Sequence, residues 1–266
     1  SAAVSELIRH PFKPGHPQLD VSAAHTFLNP YTFVVAQFAR LFQLDSISAL
    51  SIFGVLNFCL FCYGLQAFIS SLQIQTQTNN NESKAANNNT LTFYALLFIL
   101  FLWGGKPWPY SGFFNYDIFF WNLTYPSTFI GGLSLLGLAF NARHQFDRNY
   151  AYLVVLITLT TTALLTHPLT AQFLLIGFFA QIFTPQAAQS ALPITRAVQF
   201  ICLIKIAIIF AASIAIATLW PFYPILELFQ GASKVYDISN GDMYFHLLTR
   251  TWPFMLLAPL FVWMLF

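Results

Sequence analysis

Two stretches of this chain, 46–71 (SISALSIFGVLNFCLFCYGLQAFISS) and 197–220 (AVQFICLIKIAIIFAASIAIATLW), run past twenty residues with Lys205 as their only charge. A helix rises about 1.5 Å per residue, so either stretch covers the roughly 30 Å of bilayer hydrocarbon. In lipid the backbone of such a run must satisfy its own hydrogen bonds, which a helix does. The remaining composition agrees: 57% of the 266 residues are hydrophobic, and the 11 basic and 9 acidic side chains are too few to cover a water-soluble globule of this size. The fold class expected is all-α, a polytopic transmembrane helical bundle. A net charge of +2 with no basic run argues against nucleic acid as a partner.

Five further apolar stretches, 90–105, 126–142, 150–166, 168–184 and 247–266, bring the expected count to about seven spans. Lys205 lies near enough to one end of its span to snorkel. Pro30–Phe42 (PYTFVVAQFARLF) is too short to span, carries Arg40 and sets Phe33, Phe38, Ala39 and Leu41 largely on one side, the pattern of a helix lying in the interface. The chain thus divides into an extracytoplasmic N-terminal loop with that interfacial helix, 1–45, and the bundle, 46–266. Residues 73–90, rich in Asn and Gln without apolar period, have nothing to bury and are expected to form a mobile loop. Cys59, Cys62 and Cys202 sit in apolar runs and read as small core residues. A start without Met and an end on an apolar run point to a fragment of a larger membrane protein.

With seven spans the loops sort onto two faces. Face X receives 1–45, 106–125, the turn at His167, and 221–246, and with them most of the acidic residues, histidines, prolines and clustered aromatics. Face Y receives 72–89, 143–149 and 185–196. Arg143 and Arg148 in one short hairpin, with Arg196 and Lys205, make face Y cytoplasmic by the positive-inside bias and place the 143–149 loop there. The expected location is the bacterial plasma membrane or the endoplasmic reticulum, as a multi-pass protein contacting membrane lipid.

The candidate chemistry lies on face X. Asp20 stands five residues before His25 in HPFKPGHPQLDVSAAHTFLNPYTF; a carboxylate and an imidazole near the headgroups suit general-base work on a hydroxyl or a divalent cation such as Mg or Mn. The plainer alternative is capping, Asp20 of the turn that follows and Asn29 of the helix entered at Pro30. The aromatic loop GGKPWPYSGFFNYDIFFWNLTYPS offers Lys106 to a phosphate, and Tyr110 and Asp117 to a sugar hydroxyl or an ion, against the alternative of an aromatic belt with two snorkelling charges. His167, in Thr166-His167-Pro168, and Arg250, at the mouth of the last span, can each reach a lipid phosphate. No phosphate-binding glycine loop, paired-cysteine motif or HExxH is present, and spans almost empty of charge argue against an ion-driven transporter.

The order of these motifs resembles the GT-C superfamily of polytopic glycosyltransferases: an acidic first loop with an interfacial helix (Asp20, then HTFLNPYTFVVAQFARLF), Tyr125-Pro126-Ser127, Thr166-His167-Pro168 and Trp220-Pro221-Phe222-Tyr223-Pro224. The resemblance implies a polyprenyl-phosphate sugar donor used on the extracytoplasmic face, with Asp20 as general base, His25 beside it, and Lys106, His167 or Arg250 on the donor phosphate. A non-catalytic membrane subunit packing its aromatic surfaces on partner proteins is the alternative class, and a lipid or small-molecule transporter a third.

Overall fold

The structure is a computed structural model that describes residues 1–18, 25–72, 81–104, 114–144, 150–183, 195–226 and 247–265. Every regular element among these residues is a helix, in agreement with the all-α expectation. Short α1 (Ala2–Arg9) and α2 (Pro30–Leu41) lie against the start of α3 (Ser46–Leu72). There follow α4 (Asn81–Phe101), the single turn α5 (Tyr116–Phe119), α6 (Pro126–His144), α7 (Ala151–Thr166), α8 (Pro168–Phe183), α9 (Arg196–Ala217) and α10 (Leu247–Leu265).

Local chemistry sets the helix starts. Asn29 forms a capping box with Thr32, its Oδ1 accepting the Thr32 N–H at 3.0 Å and its own N–H reaching Thr32 Oγ1 at 3.2 Å, with Pro30 in the first turn as expected. Asp45 caps α3 by accepting the Ser48 hydroxyl at 2.6 Å and the N–H groups of Ser48 at 3.0 Å and Ile47 at 2.8 Å, which in that order hold its carboxyl below the usual range. α2 ends with Gln43 in the left-handed region (φ 53°), the Leu44 N–H returning to Ala39 C=O at 2.8 Å.

Helix α6 is the hub, packed on α3, α7 and α8. Matching contacts fix directions: Gly54 lies by Thr124 and Gly64 by Gly132, so α3 and α6 run parallel. Asn141 meets Gln181 and Gly177 meets Leu138, so α6 and α8 also run parallel. Tyr152 meets Lys205 and Ile157 C=O meets Ser213, aligning α7 with α9. Glycine at the α3–α6 contact lets the two backbones approach.

Among the described residues, α3 (27 residues) and α9 (22 residues) are the helices long and apolar enough to cross a membrane. Only 28% and 22% of their apolar windows are buried, far from the state of a soluble core helix, and this points to membrane association. The other stretches read as spans differ. α7 and α8 have 16 residues each, about 24 Å, and the apolar part of α4 is Asn88–Phe101. Three details depart from the sequence reading. The polar tract is helical from Asn81 onward: Gln66 Nε2–H donates to Asn89 Oδ1 at 2.8 Å and Asn88 Nδ2–H to Ser70 Oγ at 3.2 Å, so polar partners on the end of α3 replace the missing apolar face; residues 73–80 lie outside the described residues. The buried side of α2 is Tyr31, Val35, Ala36 and Ala39, while Leu41 points out. Of the cysteines Cys202 is buried, whereas Cys59 is exposed.

Candidate functional site

The described residues that the sequence reading placed on face X lie toward the ends at which α3, α6 and α8 begin. Helix α2 brings Tyr31, almost fully buried, against that end: its hydroxyl donates to Thr124 C=O at 2.9 Å and accepts from Asn57 Nδ2–H at 2.9 Å, and Asn57 also donates to Leu123 C=O at 2.8 Å. This knot ties α2, α3 and the turn before α6 together, and burial pushes the Tyr31 phenol up to about 12. Nothing in the sequence singled out Tyr31; an isolated Asn in an apolar run was the available signal, since such a group needs a buried partner.

The Trp-Pro segment closes over the same end. The His25 N–H donates to Phe222 C=O at 3.0 Å, and Trp220 Nε1–H donates to Leu28 C=O at 3.0 Å. Trp220 meets Phe33 edge-on with centroids 5.9 Å apart. His25 is partly buried, 4.5 Å from the His16 ring and 5.0 Å from Phe27. Burial and the His16 charge hold its imidazole below the ordinary value. Its Nδ1 accepts the Phe27 N–H at 3.1 Å, so the neutral ring carries its proton on Nε2 and offers a donor there rather than a base.

His167 caps α8: its Nδ1 takes the Thr170 N–H at 3.3 Å and lies 2.8 Å from Thr170 Oγ1. Burial pulls the imidazole down to about 4, so at neutral pH His167 is a neutral ring with its proton on Nε2 and not a cation. Asp117 is exposed in the one-turn helix α5, beside Tyr116, which stacks on Phe101 at 4.9 Å. Arg250 enters at the start of α10, where its carbonyl accepts the Gly104 N–H at 2.8 Å. A Cβ on Gly104 would run into Thr249 C=O, so the end of α4 lies directly on the α10 backbone. Asp117 and Arg250 thus flank the end of α4, while His25 belongs to the α2–Trp220 cluster. Asp20, Lys106 and Tyr110 lie outside the described residues.

Among the described residues no three His, Cys, Asp or Glu side chains come together as a metal site, and the Nδ1 of His25 already accepts the Phe27 N–H. His10 Nδ1 lies 3.0 Å from Glu6 Oε1, and Glu6 also accepts the Gly15 N–H at 2.7 Å, which pins the N-terminal segment. Compared with known protein families, curated proteins and solved structures, the chain matches none.

Proposed function

We propose that the chain is a membrane glycosyltransferase that uses a polyprenyl-phosphate sugar on the extracytoplasmic face of a bundle of about seven spans, with the 143–149 loop cytoplasmic. The observation that supports this best is the pair of tethers, His25 N–H to Phe222 C=O and Trp220 Nε1–H to Leu28 C=O, which hold the segment following Asp20 against the Trp-Pro segment. An amphiphilic donor presents its phosphate at headgroup depth, where this end offers neutral donors on His25 and His167 and the cation of Arg250. Asp20 takes the proton of the acceptor hydroxyl, and the Nε2–H of His25 orients the sugar or the phosphate.

The test is transfer from radiolabelled polyprenyl-phosphate sugars by the full-length protein in nanodiscs. Asp20→Asn is expected to lower turnover by about 10² to 10⁴ with donor affinity and melting unchanged; undiminished transfer would remove Asp20 from the mechanism. Absence of transfer by the unaltered protein with every donor would favour a non-catalytic membrane subunit instead. That second reading draws on the exposed faces of α3 and α9, of which 72% and 78% of the apolar windows remain unburied and open to lipid or partner helices.

A further inference from the structure

Helix α5 and the turn after it send one aromatic ring into the bundle and hold four side chains outside it. Phe119 is buried, edge-on to Phe58, Phe61 and Phe114 with centroids 6.2, 5.5 and 6.0 Å away. Asn115 C=O accepts the Phe119 N–H at 2.8 Å and Ile118 C=O accepts the Asn122 N–H at 2.9 Å, so helical geometry runs on to Asn122. Residues four apart therefore share a side, Tyr116 with Phe120 and Asp117 with Trp121. Tyr116 and Phe120 are about half exposed and meet each other edge-on, centroids 6.0 Å apart. Trp121 is 82% exposed, and neither its indole nor the exposed carboxylate of Asp117 has a partner among the described residues. The place is the connection between α4 and α6, just before Thr124, whose carbonyl accepts the Tyr31 hydroxyl.

We infer that Asp117 and Trp121 form a subsite for one sugar ring, the indole lying on the C–H face of the ring and the carboxylate accepting hydrogen bonds from its hydroxyls. The two groups match the two sides of a pyranose. The negative face of an aromatic ring draws polarised C–H groups, and an ionised carboxylate accepts hydrogen bonds without donating any. An anchor in the headgroup layer has the opposite chemistry, since it brings N–H groups and cations to lipid phosphates, which a bare carboxylate repels. For the same reason the ligand is the sugar of a lipid-linked donor or acceptor and not its phosphate. Phe119 supplies the rigidity: packed among three rings, it fixes the turn and with it the spacing of the two exposed groups. The choice of a sugar rests on the glycosyltransferase reading, but the subsite uses none of the residues to which that reading gives the proton or the phosphate.

The experiment is saturation-transfer NMR of the full chain in nanodiscs, titrated with the methyl glycosides of glucose, galactose, mannose and N-acetylglucosamine. At least one glycoside is expected to bind, with saturation strongest on the protons of one ring face. Trp121→Ala and Asp117→Asn should each weaken it about three- to tenfold, while Trp121→Phe keeps the aromatic face and most of the affinity. Trp252→Ala is the control, an exposed indole of α10 with Arg250 rather than a carboxylate near it in sequence, and should change nothing. Binding undiminished in Trp121→Ala, an equal loss in Trp252→Ala, or no binding of any glycoside by the unaltered protein would overturn the subsite. Should a variant fail to fold, 5-fluorotryptophan decides on the native fold: the ¹⁹F resonance that Trp121→Phe removes must move when glycoside is added, and a resonance that stays put marks Trp121 as a lipid anchor. Glycoside binding without transfer from any polyprenyl-phosphate sugar would leave the subsite standing and remove the enzyme. Transfer with KM for donor and acceptor unchanged in Trp121→Ala would do the reverse.

Discussion

Gly64→Ala tests whether backbone contact between α3 and α6 holds the bundle. A Cβ at Gly64 would stand 2.6 Å from Gly132 C=O and 3.2 Å from Leu135 Cβ, against ordinary contact from 3.4 Å upward. The obstacle is a carbonyl inside a helix, which cannot rotate away, so the helices must part locally by about 0.8 Å, and the loss spreads over the most extensive helix pair of the structure. Because the obstacle is backbone, the cost falls in the upper part of the range for overpacking, about 2–3 kcal/mol, while exchanging Gly for Ala in a helix returns roughly 0.8–1 kcal/mol. The net expectation is a destabilisation of about 1–2 kcal/mol. Gly54→Ala is the matched control: its Cβ meets the Thr124 methyl at 3.1 Å, a side-chain end that can shift, and the helix gain offsets it to within about 0.5 kcal/mol. Reversible unfolding of both variants in one detergent, followed by tryptophan fluorescence, should separate them by about 5- to 30-fold in the unfolding equilibrium. Equal stability of the two variants would refute the close backbone approach.

Tyr31→Phe leaves Thr124 C=O and one Asn57 N–H without their partner and is expected to cost about 1–3 kcal/mol; adding Asn57→Leu should cost less than the sum, measured as a double-mutant cycle in the same unfolding assay. His167 carries a folded value of about 4 against an ordinary 6.5, so the unfolded chain binds the proton first: this residue's contribution is intact above pH 6.5 and is lost as pH falls toward 4, by roughly 3 kcal/mol at most. His167→Asn, which can still cap α8, should flatten that part of the stability–pH profile, and an unchanged profile would show that another group is responsible. In a background without the native cysteines, cysteines placed at Ser83 and Gln145 should react with an impermeant reagent from the same side of the membrane; reaction from opposite sides would break the seven-span arrangement.

The sequence by itself determined the helical class, because composition and the length of the uncharged runs act residue by residue and need no partner. The Asn29 cap was legible for the same reason, as Asn-Pro fixes its own local geometry. What only the tertiary structure decided is what depends on which helix lies beside which. Lys205 reads as a snorkeller until α7 and α6 place Tyr152 and Asn141 beside it, and only the fold shows that Thr170 holds the Nδ1 of His167 and leaves Nε2 as its donor. The Asn-rich tract looked unable to order itself because the polar partners that receive it, Gln66 and Ser70, belong to another helix. Periodicity along one chain carries the first kind of information. The second resides in contacts between residues tens of positions apart, such as Tyr31 with Thr124 and Trp220 with Leu28, where a buried polar group must find its partner across the bundle.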